Sequence, residues 1–241
     1  MRKAESQTGQ IELSGEQFTY RLRTSARARR ITLRLAPRDG SLQVTVPHGV
    51  TQRQVVAFLE SQSGWIARRR AALPGPIPFA DGTSLPILGQ THCIRHCPEA
   101  RRGVWMEEGY LNVSGPHAHL PRRVEDFLHR HAREQLNERA RRLCGQLPPQ
   151  ARPLGRVSVR DTTSRWGSCS SDGNLSFSWR LIFAPEQVFD YVVAHEVAHL
   201  VHLDHSRAFW QLVANLQDDI KTPRVWLRRE GSSLLRYGAR S

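Results

Sequence analysis

Asp190-Tyr191-Val192-Val193-Ala194-His195-Glu196-Val197-Ala198-His199-Leu200-Val201-His202-Leu203-Asp204-His205 is the stretch from which the rest of the chain is best read. His195 and His199 stand four residues apart, so on a helix they share one face about one turn apart, and both imidazoles can reach one metal ion. Glu196 falls on the flank of that face. There a carboxylate can hold and deprotonate a water without ligating, the role of the glutamate in a His-Glu-x-x-His arrangement. The surrounding residues, Tyr191, Val192, Val193, Ala194, Val197, Ala198, Leu200 and Val201, are otherwise apolar. In such a helix an unpartnered polar group costs on the order of 1–3 kcal/mol, so two imidazoles and a carboxylate on adjoining faces need a common partner. Five-residue matches arise by chance in a chain with eleven histidines. Helical context, apolar flanks and a third histidine nearby raise this one above chance.

Catalytic zinc takes three protein ligands and leaves the fourth place to water. His202 and His205 compete for the third position. His202 lies seven residues after His195 on the same helical face, roughly 10 Å along the axis, and three ligands strung along a straight helix do not surround a metal easily. His205 lies past the expected helix end, beside Asp204 and Ser206, where the chain can turn back. The expected ligands are therefore His195, His199 and His205, with Asp218 or Glu230 as alternatives for the third place and Zn2+ as the cofactor.

Working outward, Ala184-Pro185-Glu186 predicts a helix start and about His202 its end, with a second helix capped by Ser206 and a third opened by Thr222-Pro223. Arg156–Arg160 and Asn174–Trp179 read as strands on either side of a loop over residues 162–173. From Pro121 to Leu147, Val124, Phe127, Leu128, His131, Leu136, Ala140 and Leu143 recur at helical spacing, predicting a helix that covers the active-site sheet. Short strands over Leu85–Leu88, His92–Cys97, Gly103–Met106 and Tyr110–Val113 fit a meander.

Further upstream, Gln17–Arg23, Arg30–Ala36 and Leu42–Val46 read as strands, the last two joined as a hairpin by Pro37-Arg38-Asp39-Gly40. Thr51 is a plausible N-cap for one helix running to Arg70. Leu73-Pro74-Gly75-Pro76-Ile77-Pro78 reads as a linker or wrapping segment. These elements divide the chain into residues 1–78, a sheet-plus-helix unit, residues 79–150, a meander with its covering helix, and residues 151–241, the catalytic core. No internal repeat is evident.

At 241 residues the chain buries a core without covalent staples. Cys93, Cys97, Cys144 and Cys169 are too sparse for a disulfide framework, no apolar run spans a bilayer, and the polar start lacks a secretory pattern. A reducing cytoplasm and no membrane partner are expected. His92-Cys93-Ile94-Arg95-His96-Cys97 is not read as a second metal site, because strand alternation sends neighbours to opposite faces. Cys169 reads as structural rather than nucleophilic. The net charge of +13 is almost all arginine, with lysine only at Lys3 and Lys221. Arginine's planar fork suits phosphate, so nucleic acid is a candidate partner, and a basic surface serving solubility alone is the alternative.

Arg165-Trp166-Gly167-Ser168-Cys169, Asn174 to Pro185 (NLSFSWRLIFAP), the stretch Asp190–Leu200, then His205-Ser206 and Phe209-Trp210 resemble the YgjP-like metallopeptidase family, related to SprT-type zinc proteases. The match is specific over about residues 155–230 and looser towards the N-terminal hairpins. The resemblance implies an α+β protein with a zincin-like catalytic domain and an N-terminal hairpin-and-helix unit. It also implies a zinc-dependent peptidase acting on protein or peptide substrates, with zinc on His195, His199 and His205 and with Glu196 as general base towards a metal-activated water. His202 stands where metzincins have glycine, and no methionine follows the motif, which excludes a Met-turn. By analogy with zincin-like folds, strand Asn174–Trp179 is expected to be an edge strand that pairs with extended substrate. Arg165, Trp166, Asn174 and Ser176 are the candidate substrate-binding residues. A zinc hydrolase of a non-peptide bond and a nucleic-acid-associated protease or binding protein are the alternatives.

Overall fold

The computed structural model describes residues 6–36, 39–72 and 75–238; Pro37 and Arg38 of the expected turn, and Leu73 and Pro74 of the expected linker, lie outside the described residues. Two compact units divide the chain, one within Met1–Pro76 and one over Ile77–Gly238. No helix of the described residues is long and apolar enough to cross a membrane.

In the first unit, strands β1 (Ser6–Leu13) and β2 (Glu16–Thr24) pair antiparallel, β2 runs parallel to β4 (Leu42–Val46), and β3 (Thr32–Leu35) lies antiparallel outside β4, giving the order β1-β2-β4-β3. The expected pairing of β3 with β4 is present. Phe18, Tyr20, Leu42, Val44 and Val46 share a buried core with Val55 and Leu59 of α1 (Gln52–Ser61) and Ile66 of α2 (Ser63–Ala71). Thr51 caps α1 in a reciprocal box with Gln54, an arrangement worth about 1 kcal/mol. The single helix expected up to Arg70 is broken at Gln62, whose φ of −100° and ψ of 5° leave the helical region. Ser61 contributes by turning its hydroxyl back onto the Phe58 carbonyl at 2.7 Å.

The second unit opens on β5 (Ser84–Ile87), β6 (Gln90–Cys97), β7 (Val104–Glu107) and β8 (Tyr110–Ser114). Their order is β5-β6-β8-β7, with β6 and β8 parallel, so the sheet is not the meander that alternation suggested. Alternation identifies strands and their faces but not their neighbours. The topology repeats that of the first sheet, two hairpins joined through a central parallel pair and followed by helix. Three hairpins share a two-residue turn with both φ positive: Ser14-Gly15, Leu88-Gly89 and Glu108-Gly109. Glycine in the second place is what lets this turn match the strand twist.

Helix α3 (Leu120–Cys144) buries Val124, Leu128, Ala132, Leu136, Ala140 and Leu143. Strands β9 (Val157–Arg160), β10 (Gly167–Cys169) and β11 (Leu175–Ser178) follow in the order β10-β11-β9. β10 lies inside the segment expected to be a loop. β11, expected at an edge, is the central strand, and β10 is the edge. A 3-10 turn over Trp179–Phe183 leads into α4 (Glu186–Ala198), α5 (Arg207–Leu216) and α6 (Lys221–Glu230). Leu128 and Leu136 of α3 share one core with Phe177, Phe189, Val193, Val197 and Phe209, so the boundary expected at residue 150 does not interrupt the hydrophobic interior.

Candidate metal centre

α4 is buried on nearly every side and is held at both ends by arginine. Near its start, Arg139 of α3, itself 9% exposed, donates to Asp190 at 2.5 Å and to Glu186 at 2.7 Å, and its guanidinium lies over the Phe189 ring. At its end, Arg152 donates to the carbonyls of His199, Leu200 and Ser171. Cations at the carbonyl end of a helix answer its dipole as well as its unpaired acceptors.

The helix stops sooner than its pattern suggests, at Ala198 with His199 as C-cap. Tight turns follow, with Leu200 N–H on Val197, and Val201 and His202 N–H on Ala198. Asp204 then accepts from the Ser206 N–H at 3.2 Å, and Ser206 caps α5 by accepting from Phe209 N–H. This path returns His205 to the histidine pair. One ring nitrogen each of His195, His199 and His205 lies within 4.8 Å of the others, and the Nε2 atoms of His195 and His205 are 3.1 Å apart. His202 contributes its carbonyl instead, 2.8 Å from His199 Nδ1. A proton donated there leaves His199 Nε2 with its lone pair directed elsewhere. Asp218 and Glu230 are not part of the cluster.

The donor set fits a borderline cation such as zinc, since two facing imidazole nitrogens at 3.1 Å repel unless a proton or metal lies between them. Burial pushes His195 down to about 4, helped by His199, His205 and Arg224, and burial also lowers His199. Imidazoles that stay neutral at pH 7 present lone pairs without first releasing a proton. His195 Nδ1 is buried with no partner among the described residues. Phe209 forms the floor, its ring 5.0, 4.5 and 4.8 Å from His195, His199 and His205.

Glu196 is 6% exposed, and burial pushes its carboxyl up to about 7 against the opposing pull of the Arg165 guanidinium. Its side chain lies against Gly167 of β10, where an added Cβ would come within 2.5 Å of Glu196 Cγ and Oε1. Arg165 is exposed; Trp166 is half-buried, packs against Gly231 and accepts the Ser178 N–H through its carbonyl. Asn174 accepts the Arg156 N–H at 2.8 Å and so ties the start of β9 to β11. Ser176 pairs with Ser168 and Ser158 across the sheet, on the face opposite Leu175 and Phe177. Of the four candidate substrate residues, Arg165 is thus the one whose charge is felt at Glu196, while Asn174 has a scaffold contact.

The arrangement also contains residues not singled out from sequence. Tyr191, one turn before His195, has its ring 6.0 Å from that imidazole and its phenol raised by burial. Arg224 lies over the Trp210 ring at 4.4 Å. Their only sequence signal is the i, i+4 spacing of Tyr191 to His195; Arg224 and Arg152 carry none.

Residues 29–230 match the family model described as YgjP-like, metallopeptidase domain. The chain belongs to the YgjP-like metallopeptidase family. The matched span includes the three histidines, Glu196, Gly167, Arg139 and Arg152, so both arginine clamps lie inside the YgjP-like region. Among solved structures, the metallopeptidase zymogen of Pyrococcus abyssi abylysin matches with a TM-score of 0.29 and 22% identity, over 40% of this chain and 94% of that one. A comparison with curated proteins finds no match.

Proposed function

We propose that this YgjP-like chain is a zinc-dependent peptidase in which His195, His199 and His205 hold the ion and Glu196 is the general base. The observation that carries the reading is a buried carboxylate raised to about 7 beside three converging imidazole nitrogens. A proton acceptor works best when its pKa lies near the working pH, and a cation in the histidine cluster would draw it somewhat lower. A divalent metal bound there supplies a Lewis acid that polarises a carbonyl and acidifies water. Glu196 takes the proton from the attacking water and passes it to the leaving amine. Gly167 leaves room for that carboxylate. Phe209 keeps water from the rear of the imidazoles, and Arg165 steadies the ionised form of Glu196.

Edge strand β10 is the natural place for an extended polypeptide to add main-chain hydrogen bonds, with Arg165 and Trp166 at its start; pairing of that kind reads backbone and gives loose sequence preference. Asn174 and Ser176 act through β11, which holds β10 in register. A second reading, in which the basic surface recruits the peptidase to nucleic acid, is favoured by the distribution of charge considered below.

Replacing Glu196 by Gln should leave one zinc per chain by elemental analysis while lowering cleavage of an unfolded protein substrate by about 10²–10⁴-fold. Cleavage at the wild-type rate would remove Glu196 from the chemistry, and a wild-type chain unable to take up zinc would remove the metal.

A further inference from the structure

We infer that the solvent face of the sheet β1-β2-β4-β3 is a binding surface for the phosphate backbone of nucleic acid. The inference stands independently of the peptidase reading, since the face lies wholly outside the unit that holds the histidines.

Charge is distributed unevenly along the chain. Residues 1–76 hold 13 Lys and Arg against 5 Asp and Glu, a net of +8, whereas residues 77–238 hold 21 against 17, a net of +4. The shorter unit therefore carries most of the excess. Within it, strand register decides which side chains share a face. Thr8, Arg21, Gln43 and Arg34 form one row across all four strands, and Arg23, Thr45 and Thr32 form the next. Gln10 and Thr19 continue the same face. All of these are exposed except the half-buried Thr45. At the same end of the sheet as the second row, the segment between β2 and β3 carries Arg27, Arg29 and Arg30, also exposed. Among the described residues, the acids at this face are Glu12, at the hairpin end beside Gln17, and Asp39, 3.1 Å from Arg21.

Such a surface presents guanidinium, hydroxyl and amide donors and no apolar side chain in these rows. Donors of this kind contact phosphate and sugar rather than base edges. No aromatic side chain stands in the rows, so the face lacks the stacking platforms by which proteins favour single strands. Arg68, Arg69 and Arg70 have another use: they occupy the last turn of α2, where they answer the helix dipole, and Arg70 pairs with Glu16 at 3.5 Å. On α3, by contrast, arginines alternate with acids, as in Arg122 with Asp126. The occupant that fits is a regular polyanion, a duplex bound without sequence preference.

The test is fluorescence anisotropy of the full chain with a labelled DNA duplex of arbitrary sequence, between about 50 and 200 mM salt. Each phosphate neutralised adds about −0.9 to the slope of log affinity against log salt, so three to five contacts predict a slope near −3 to −5. The variant R21Q/R23Q/R34Q should make the slope shallower by about 2.7, while R130Q/R133Q/R141Q, an equal loss of charge from α3, should change it by less than about 1. Zinc content should be the same in both variants. R23Q and R34Q singly give the same reading, about 0.9 each, if the triple variant melts early. The inference is overturned if the wild type binds no duplex, if both triple variants lose slope equally, or if anionic phosphatidylserine vesicles bind the same face more tightly than DNA.

Discussion

Gly167 acts by having no side chain. With Glu196 Cγ and Oε1 only 2.5 Å from where a Cβ would stand, Gly167→Ala must displace either the carboxylate or β10. A misplacement of about 1 Å in a reacting group costs on the order of 10²-fold in rate. The expected outcome is therefore a loss of that size in kcat, with zinc content unchanged, measured on an unfolded protein substrate beside an elemental analysis. Near-wild-type turnover would show that the carboxylate has slack and that the tight contact is incidental. Glu196 differs in being legible from the sequence alone. His195, Glu196 and His199 are chemical in themselves and lie within five positions, so spacing on one helix reveals their grouping. Gly167 and Phe209 acquire meaning only by touching those residues in space, and nothing local to a glycine or a phenylalanine announces such a contact. His205 stands between the two: its chemistry is visible in the sequence, but its return to the pair depends on where α4 ends.

That end is held by Arg152, which lies 47 positions before His199 and donates to its carbonyl and to that of Leu200. Arg139 does the corresponding work at the start of α4 through Glu186 and Asp190. Apolar period revealed α3, because a helix repeats its signal over several turns, while α4 was marked by its start at Ala184-Pro185-Glu186 and α1 by the cap residue Thr51. Apolar period could not reveal the break at Gln62, where φ and ψ leave the helical region at a single residue, nor the three-residue β10, too short to alternate twice. The order of both four-stranded sheets was equally hidden, since parallel pairing joins strands that are not consecutive. As a positioning residue, Arg152 should affect the metal before it affects the fold. Arg152→Ala is expected to weaken zinc binding by about 10–100-fold in competition with a chelator, the range seen when support behind a ligand is lost. Arg152→Lys, keeping one donor and the charge, should recover part of it. A variant that melts early yet binds zinc with wild-type affinity would assign Arg152 to stability alone.

At the scale of the whole molecule, the response of the metal-free protein to pH below neutrality turns on its interior histidines and on Glu196. Burial lowers His129, stacked on Trp179, together with His131, His195 and His199. In the unfolded chain each titrates near 6.5, whereas His195 folded titrates near 4. Below pH 6.5 the unfolded state therefore binds more protons, and their stabilisation, complete above that pH, is lost as pH falls through the folded values. Glu196 works the other way: raised from 4.5 to about 7, it binds a proton on folding between those values, an interval as wide as that of His195 from 6.5 to about 4, and so offsets that histidine in full above pH 5. Each net proton changes stability by about 1.4 kcal/mol per pH unit, and half-exposed His129, His131 and His199 contribute only fractions of that. Melting temperature after treatment with chelator should therefore change little between pH 7 and pH 5 in the wild type and fall in Glu196→Gln, where the offset is gone. A flat or rising profile in Glu196→Gln would contradict the buried, neutral histidines on which the proposed metal site depends. The growing positive charge of a chain already at +13 also disfavours folding at low pH, but the two causes separate by ionic strength. Salt screens repulsion between exposed arginines and leaves the desolvation of buried imidazoles almost unchanged, so the part of the slope that survives at about 1 M salt belongs to the histidines.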